Sequence, residues 1–356
     1  MSGISNKTLI LNVGSSGLKF RLYEKEKIIL DKEISERNFK ECFKILFLEI
    51  KKHKKEISKV GYRVVYGGNF KSPLIASKKI LRELDKLKGL DDLHMKNTLF
   101  LIRALEKKLK AKHILFFDDA FHKTISKSRK IYPIPLSISK KYKIKKYGFH
   151  GIAHESLFCD AQKFLGKKYK RVITCQLGSG VSLCAIKNGK SVETTMGFTP
   201  LEGIMMSTRS GSIDPSILIY LGEKGFSFEK IKRILEEDSG LKGISGFWDM
   251  RKILKRMKRD KNSKLAYEMF IYEVKKALGS YIALLGGVDL IVLGGGMSRA
   301  PEVRKGILEN LEEMGIKIDK KKIVKNSPVK ISSGKVKVIS LETDEEKLIF
   351  EKIKNL

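Results

Sequence analysis

The chain builds one local pattern twice. "LILNVGSSGLKFRLY", residues 9–23, is an apolar run, a Gly/Ser turn and an alternating run, and "VITCQLGSGVSLCAI", residues 172–186, repeats that plan in the second half. Each reads as strand, tight turn and returning strand, because short apolar runs bounded by Gly and Ser suit buried strands and alternation suits a partly exposed partner. Further strands are expected at 60–68, at 113–122, in "VDLIVLGGG" and in "KVKVISL". Helix-period segments alternate with them near 38–55, 77–87, 92–110, 152–165, 214–222, 227–237 and 262–285, with a last helix from about 344. This order predicts two α/β units of related plan with a cleft between them. The 356 residues suffice for two domains at about 150 residues each.

A turn of small residues lets backbone N–H groups approach an anion, and Ser hydroxyls add donors. Gly14, Gly17, Gly178 and Gly180 are expected to supply positive-φ conformations there. A polar residue, Asn12 or Gln176, stands near the end of each first strand. Either alone reads as a plain hairpin turn, whereas two such turns facing one another across a cleft would grip a polyphosphate. The long stretch "GFTPLEGIMMSTRSGSIDP" sets Arg209 among Ser, Thr and Gly, where a guanidinium fork is available to a carboxylate or phosphate.

The formal net charge of +33 invites a nucleic-acid reading. However, Lys is spread through almost every helix and loop, and no basic tail stands apart. A solvated basic surface that attracts anionic metabolites is expected, without a nucleic-acid partner. Four Cys without a C-x-x-C pair fit free thiols in a reducing compartment. The longest apolar segment, "YIALLGGVDLIVLGGG", contains Asp289 and five Gly and does not read as a membrane span. A cytoplasmic protein is expected.

The stretches "LNVGSSGLKF", "GYRVVYGG", "FDDAFH", "KYGFHGIAH", "ITCQLGSG", "TTMGFTPLEGIMMSTRSGSIDP", "GISGFWDMR", "LGGGMS" and "VISLETDEE" run in order along almost the whole chain. In them the sequence resembles the acetate kinase family, which includes propionate kinases and lies within the sugar kinase, Hsp70 and actin superfamily. The resemblance implies two domains of the actin-like, ribonuclease H-like ATPase plan. Residues 1–147 with a C-terminal helix at about 345–356 would form the first, and 148–344 the second, with its nucleotide-binding elements. It implies a homodimer that transfers phosphoryl groups between ATP and acetate with Mg²⁺. Carried over by position, Arg63, Asp118, His150 and Arg209 would be catalytic, with Asn12 and Glu345 at the Mg²⁺ site. Contacts to the nucleotide and its phosphates would fall to Asn12, Ser15, Lys19, Gln176, Gly178, Ser179, Gly180, Asp249, Met250, Arg251, Gly294, Gly295 and Gly296. Val65, Leu93, Phe149 and Pro200 would enclose the methyl group of a short acyl chain.

Some positions depart from the family pattern. Gly17 stands where Ser is usual, Gln176 and Ser179 where His and Asn are usual, and Tyr62 and Tyr66 where two His are usual. "GGGMSR" lacks the Glu and Asn that usually follow the glycines, and the segment before "GYRVVYGG" is short. These changes gather on the phosphoryl-donor side and predict weaker ATP affinity or an altered donor. Propionate as acceptor, pyrophosphate as donor, and a relative that binds nucleotide without turnover remain alternatives.

Overall fold

The computed structural model describes residues 6–14, 17–35, 38–87, 92–323 and 328–356, with backbone alone at 92–94. Ser15 therefore lies outside the described residues, as does the side chain of Leu93. Two compact units form. The first comprises residues 1–121, 150–152 and 344–356, and the second 122–149 and 153–343.

The first unit is built on six strands: β1 (Lys7–Gly14), β2 (Gly17–Glu24), β3 (Lys27–Ile34), β4 (Ile57–Val64), β5 (Leu74–Ile75) and β6 (Lys112–Phe117), in the order β3-β2-β1-β4-β6-β5. β1 to β3 form an antiparallel meander, β1, β4 and β6 run parallel, and β5 closes the edge antiparallel to β6. Central strands are apolar on both faces, as a covered sheet requires; Leu9, Ile10, Leu11, Val60, Tyr62 and Leu115 are all buried. The helix Glu345–Lys354 packs Ile349 and Ile353 against Ile10, and a Cβ at Gly61 would collide with both of those side chains. Glycine at 61 is what lets that helix lie on the sheet.

The second unit repeats the plan. Its strands are β7 (Arg171–Leu177), β8 (Val181–Lys187), β9 (Lys190–Thr194), β10 (Leu290–Gly294), β11 (Val329–Lys330) and β12 (Lys337–Ser340), in the order β11-β12-β10-β7-β8-β9. β7 to β9 again form the meander, β7, β10 and β12 run parallel, and β11 is the antiparallel edge. Strand for strand this matches the first unit, so the echo in the sequence reflects a duplicated architecture. The helix Lys261–Leu285 opens on the cap Asp260 and ends at Gly286 in the left-handed conformation. Pro301 occupies the first turn of the helix Pro301–Leu308, where its missing N–H costs nothing.

The chain passes between units earlier than the expected 147/148 boundary, because residues 122–149 are tied into the second unit. Lys146 Nζ donates to Glu193 at 2.8 Å and to the Thr194 carbonyl, the Tyr147 and Gly148 amides donate to the Gly197 carbonyl, and Tyr132 OH donates to Glu202. Periodicity also overlooked the meander strands β3 and β9, whose residues are too polar to read as core strands.

The buried His122 explains part of this attachment. Its Nε2 donates to the Phe149 carbonyl at 2.9 Å and its Nδ1 accepts from Ser191 Oγ at 2.9 Å, an arrangement only the neutral ring makes. Burial pushes its pKa down to about 4; the Phe149 carbonyl opposes this, and Lys130 and Lys146 reinforce it. A folded pKa below the unfolded value of about 6.5 means that the unfolded chain binds the extra proton. The stabilisation is thus complete above pH ~6.5 and is lost as pH falls toward 4, by about 3 kcal/mol for this group. Urea titrations between those limits should show a steeper acid loss for the native protein than for His122→Gln. Parallel curves would remove His122 as the cause.

Candidate active site

In the first unit the C-terminal ends of the parallel strands carry polar residues onto one point. Asn12 ends the buried stretch of β1, Arg63 lies in β4 beside it, and Asp118 follows β6 directly. Arg63 Nη2 donates to Asp118 Oδ2 at 2.5 Å and Arg63 Nη1 donates to Asn12 Oδ1 at 3.0 Å. Asn12 Nδ2 donates at 2.8 Å to Glu345 and at 2.8 Å to Glu346, at the start of the C-terminal helix. Lys19 Nζ in β2 completes the cluster with a 2.8 Å bond to Glu346 Oε2. The helix begins here because Asp344 caps it, accepting from the Lys347 amide while holding Arg21 at 2.8 Å.

Burial opposes the charge on Arg63, but Asp118 and Glu345 outweigh it and its pKa is raised; the guanidinium is a fixed cation. Burial pushes the Glu345 carboxyl up to about 7; Arg63 pulls it back, while Asp118 and Glu346 push it further up. Among the described residues, the buried atoms Asp118 Oδ1 and Arg63 Nε find no hydrogen-bond partner, Nε lying 3.5 Å from Glu345 Oε1. Unmet polar atoms of this kind are costly in a core and expected where a ligand completes them. The neighbouring Asp119 has a structural role instead, accepting from the Gly67 amide at 3.0 Å.

His150 adopts φ 56, a left-handed conformation uncommon outside glycine, and is followed by the helix Gly151–Leu165. A Cβ at Gly151 would overlap the Asp118 carbonyl oxygen, so the helix start lies against the Asp118 backbone. The sequence thus brings Asn12, Lys19, Arg63, Asp118, Glu345 and the turn at His150 together within one unit. Glu346 is not singled out by the sequence, because a second carboxylate in "TDEEK" reads as an ordinary helix-start acid; being only 1% exposed is what distinguishes it.

In the second unit the corresponding strand ends carry the glycine turns. The Gly178 amide donates to the Gly180 carbonyl, and the Ser207 amide to the Ser179 carbonyl at 3.1 Å, which joins this turn to the long loop. Thr343 Oγ1 donates to Gln176 Oε1 at 2.6 Å. Gly295, at φ 82, lies so close to the Leu177 backbone that no side chain fits there. Gln176, Gly178, Ser179, Gly180, Gly294 and Gly295 therefore gather at the ends of β7 and β10, and Gly296 follows with open space where a side chain would be.

One expectation about these turns is corrected. Neither Gly14 nor Gly178 adopts a left-handed φ. Gly17 is required for space instead: a Cβ there would overlap the Ile34 carbonyl oxygen, where β2 pairs with β3.

Arg209 belongs to the loop of the second unit, with Nη1 3.4 Å from the Pro200 carbonyl and 3.8 Å from Met206 Sδ. The loop is held by its backbone: the Met206 amide donates to the Arg209 carbonyl, and the Met205 amide to Glu273 Oε2 at 2.7 Å. Glu273 escaped the sequence reading because it is one acid on an amphipathic helix. Asp249 caps the helix Met250–Arg256, the exposed Arg251 folds back onto it at 2.8 Å, and Met250 is buried in the core. Val65 and Phe149 are buried, and Pro200 is partly exposed. The buried His154 ring is held by two hydroxyls, Thr174 Oγ1 at Nδ1 and Ser182 Oγ at Nε2, each at 2.8 Å.

A family model described as "Acetokinase family" matches residues 25–351. The chain belongs to the acetokinase family. This member is 37% identical to the acetate kinase of Thermoanaerobacter pseudethanolicus, over 96% of this chain and 97% of that one. It is 36% identical to the acetate kinase of Thermotoga maritima, over 98% of each chain. Among solved structures it superposes on Porphyromonas gingivalis acetate kinase with a TM-score of 0.90 at 31% identity, covering 98% of this chain and 99% of that one. A propionate kinase from Francisella tularensis gives a TM-score of 0.89 at 32% identity, covering 99% and 100%. The two α/β units of this acetokinase-family chain have the actin-like plan expected from the sequence. Among the described residues no helix is long and apolar enough to cross a membrane.

Proposed function

We propose that the protein is an acetate kinase, catalysing reversible phosphoryl transfer between ATP and acetate to give acetyl phosphate and ADP. The observation that carries this reading is the largely buried Arg63, held between Asp118 and Asn12, with its Nε making no hydrogen bond and lying 3.5 Å from Glu345 Oε1. An acetate carboxylate is ionised at neutral pH and needs no general base. One of its oxygens forms the new P–O bond as the bond to the ADP oxygen breaks. The protein's task is to position the reactants and neutralise the equatorial oxygens. In this reading Arg63 and Arg209 supply the fixed cations and His150 a hydrogen bond to the migrating group. Asp118 fixes the orientation of Arg63. Val65, Leu93, Phe149 and Pro200 limit the acyl chain.

Mg²⁺ would be held at Asn12 and Glu345. Among the described residues no three His, Cys, Asp or Glu side chains form a ready cage. That suits Mg²⁺, which usually takes one or two carboxylates and completes its shell with water and substrate phosphates. Bound there, it would neutralise charge on the phosphate chain. The Gln176, Ser179 and Gly295 cluster would receive the donor phosphates. A homodimer is supported by the exposed apolar side chains of the second unit, including Ile219, Tyr220, Phe228, Trp248 and Tyr272.

Trapping acyl phosphate as the hydroxamate tests the reading. Acetate with ATP and Mg²⁺ should give acetyl hydroxamate, at a higher kcat/KM than propionate gives. Pyrophosphate outperforming ATP at saturating acetate would reassign the donor, and no product with any donor would leave only nucleotide binding.

A further inference from the structure

A cavity of about 1010 Å³ opens on the first unit, at the start of β6. His113 in its wall precedes Asp118 by five residue steps, roughly 16 Å of extended chain, so the cavity lies at the far end of the sheet from the catalytic cluster. Its rim carries Lys78, Arg82, Arg103, Lys107, Lys110 and Lys112, against the single carboxylate of Glu106. Arg103 is paired with Asp85. The other five cations make no ion pair among the described residues. A second cavity of about 640 Å³, lined by Lys96, Phe100 and Lys108, borders the first, with Arg103 and Lys107 in the wall of both.

Like charges around a concavity repel, and field lines focus within it; a seated anion offsets that cost. The rim includes two guanidiniums, whose planar forks suit phosphate oxygens. The floor is apolar, formed by Leu81, Leu109 and the exposed Ile75 of the edge strand. A basic rim over an apolar floor, in a space the size of a small-molecule site, matches a ligand with a phosphate chain and a flat, weakly polar body. We propose that this cavity is a second anion site that binds a nucleoside polyphosphate, separate from the catalytic cluster. The reading is independent of the proposed activity.

Equilibrium dialysis of ATP against the full chain, at about 0.15 M ionic strength, tests it. The native protein should bind one more ATP per chain than the variant Arg82→Glu/Lys107→Glu/Lys110→Glu, with affinity at the lost site reduced at least about tenfold. The variant Lys78→Glu/Lys112→Glu should lose the same site. Neither touches the residues assigned to catalysis, so retained kcat certifies folding. Inorganic tripolyphosphate is the second probe: if it fills the site, the phosphate chain suffices, and if only ATP does, the nucleoside is also read. Equal ATP counts in the native protein and both variants would overturn the proposal. If the catalytic reading were wrong, the count would fall from one to none, and the difference of one would remain.

Discussion

Arg63→Ala should both unfold the protein more easily and abolish turnover. The guanidinium is 13% exposed and neutralises Asp118, which is entirely buried, as well as Glu345 at 3.5 Å. Removing one partner of a buried pair leaves an uncompensated charge, a cost of about 3–5 kcal/mol. Three carboxylates, Asp118, Glu345 and Glu346, would then share the site with Lys19 as the neighbouring cation. Without Arg63, the Glu345 carboxyl should rise above its value of about 7, because the arginine is what pulls it down. The midpoint of urea denaturation at neutral pH checks the stability loss. Adding Asp118→Asn should recover part of it, since the buried carboxylate is then gone, while activity stays lost. A double variant no more stable than Arg63→Ala would show that the pair is not the source.

Of this cluster only Asn12, a polar residue closing the run "LIL", stands out by its place in the pattern. Arg63 in "YRVV" and Asp118 after "ILFF" read equally well as a strand-end ion pair and a solvated loop pair, and the resemblance to the acetate kinase family is what singles them out. The related plan of the two units was likewise implied by the two hairpins, though not their strand order. What stayed hidden depends on approach between segments far apart in the chain. Glu346 meets Lys19 across 327 positions, and Glu273 meets the Met205 amide across 68. Neither separation leaves a periodic trace. The turn glycines show the same limit from the other side. Composition identified Gly17 as special, but its reason, the Ile34 carbonyl in the adjacent strand, exists only once β2 and β3 have paired. The residues 122–149 were misassigned because their attachments run to Ser191, Glu193 and Gly197, which no local pattern announces.

Arg209→Ala should have the opposite balance: a large catalytic loss with little change in stability. Its carbonyl carries a loop hydrogen bond through the main chain, accepting from the Met206 amide at 3.0 Å, and any side chain preserves it. The loop is further held by Ser207 to Ser179, Leu241 to Met206 and Met205 to Glu273, all through backbone amides. A Cβ at Gly240 would overlap the Met206 carbonyl, so packing fixes the same segment independently of the guanidinium. The side chain is partly exposed, and its contacts to the Pro200 carbonyl and Met206 Sδ are long, 3.4 and 3.8 Å, so the backbone network above holds the loop when the guanidinium is removed. If Arg209 neutralises charge that develops during phosphoryl transfer, its removal should lower kcat by about 10²–10³, the range for a lost transition-state donor, or roughly 3–4 kcal/mol of barrier. Arg209→Lys should restore only a fraction, because an ammonium lacks the planar fork. The decisive comparison is with Arg63→Ala in the same buffer. Equal thermal midpoints for Arg209→Ala and the native protein, with hydroxamate formation reduced in both variants, fit one guanidinium anchored in a buried charge network and one presented by a backbone-braced loop. Unchanged kcat in Arg209→Ala would remove this arginine from the mechanism.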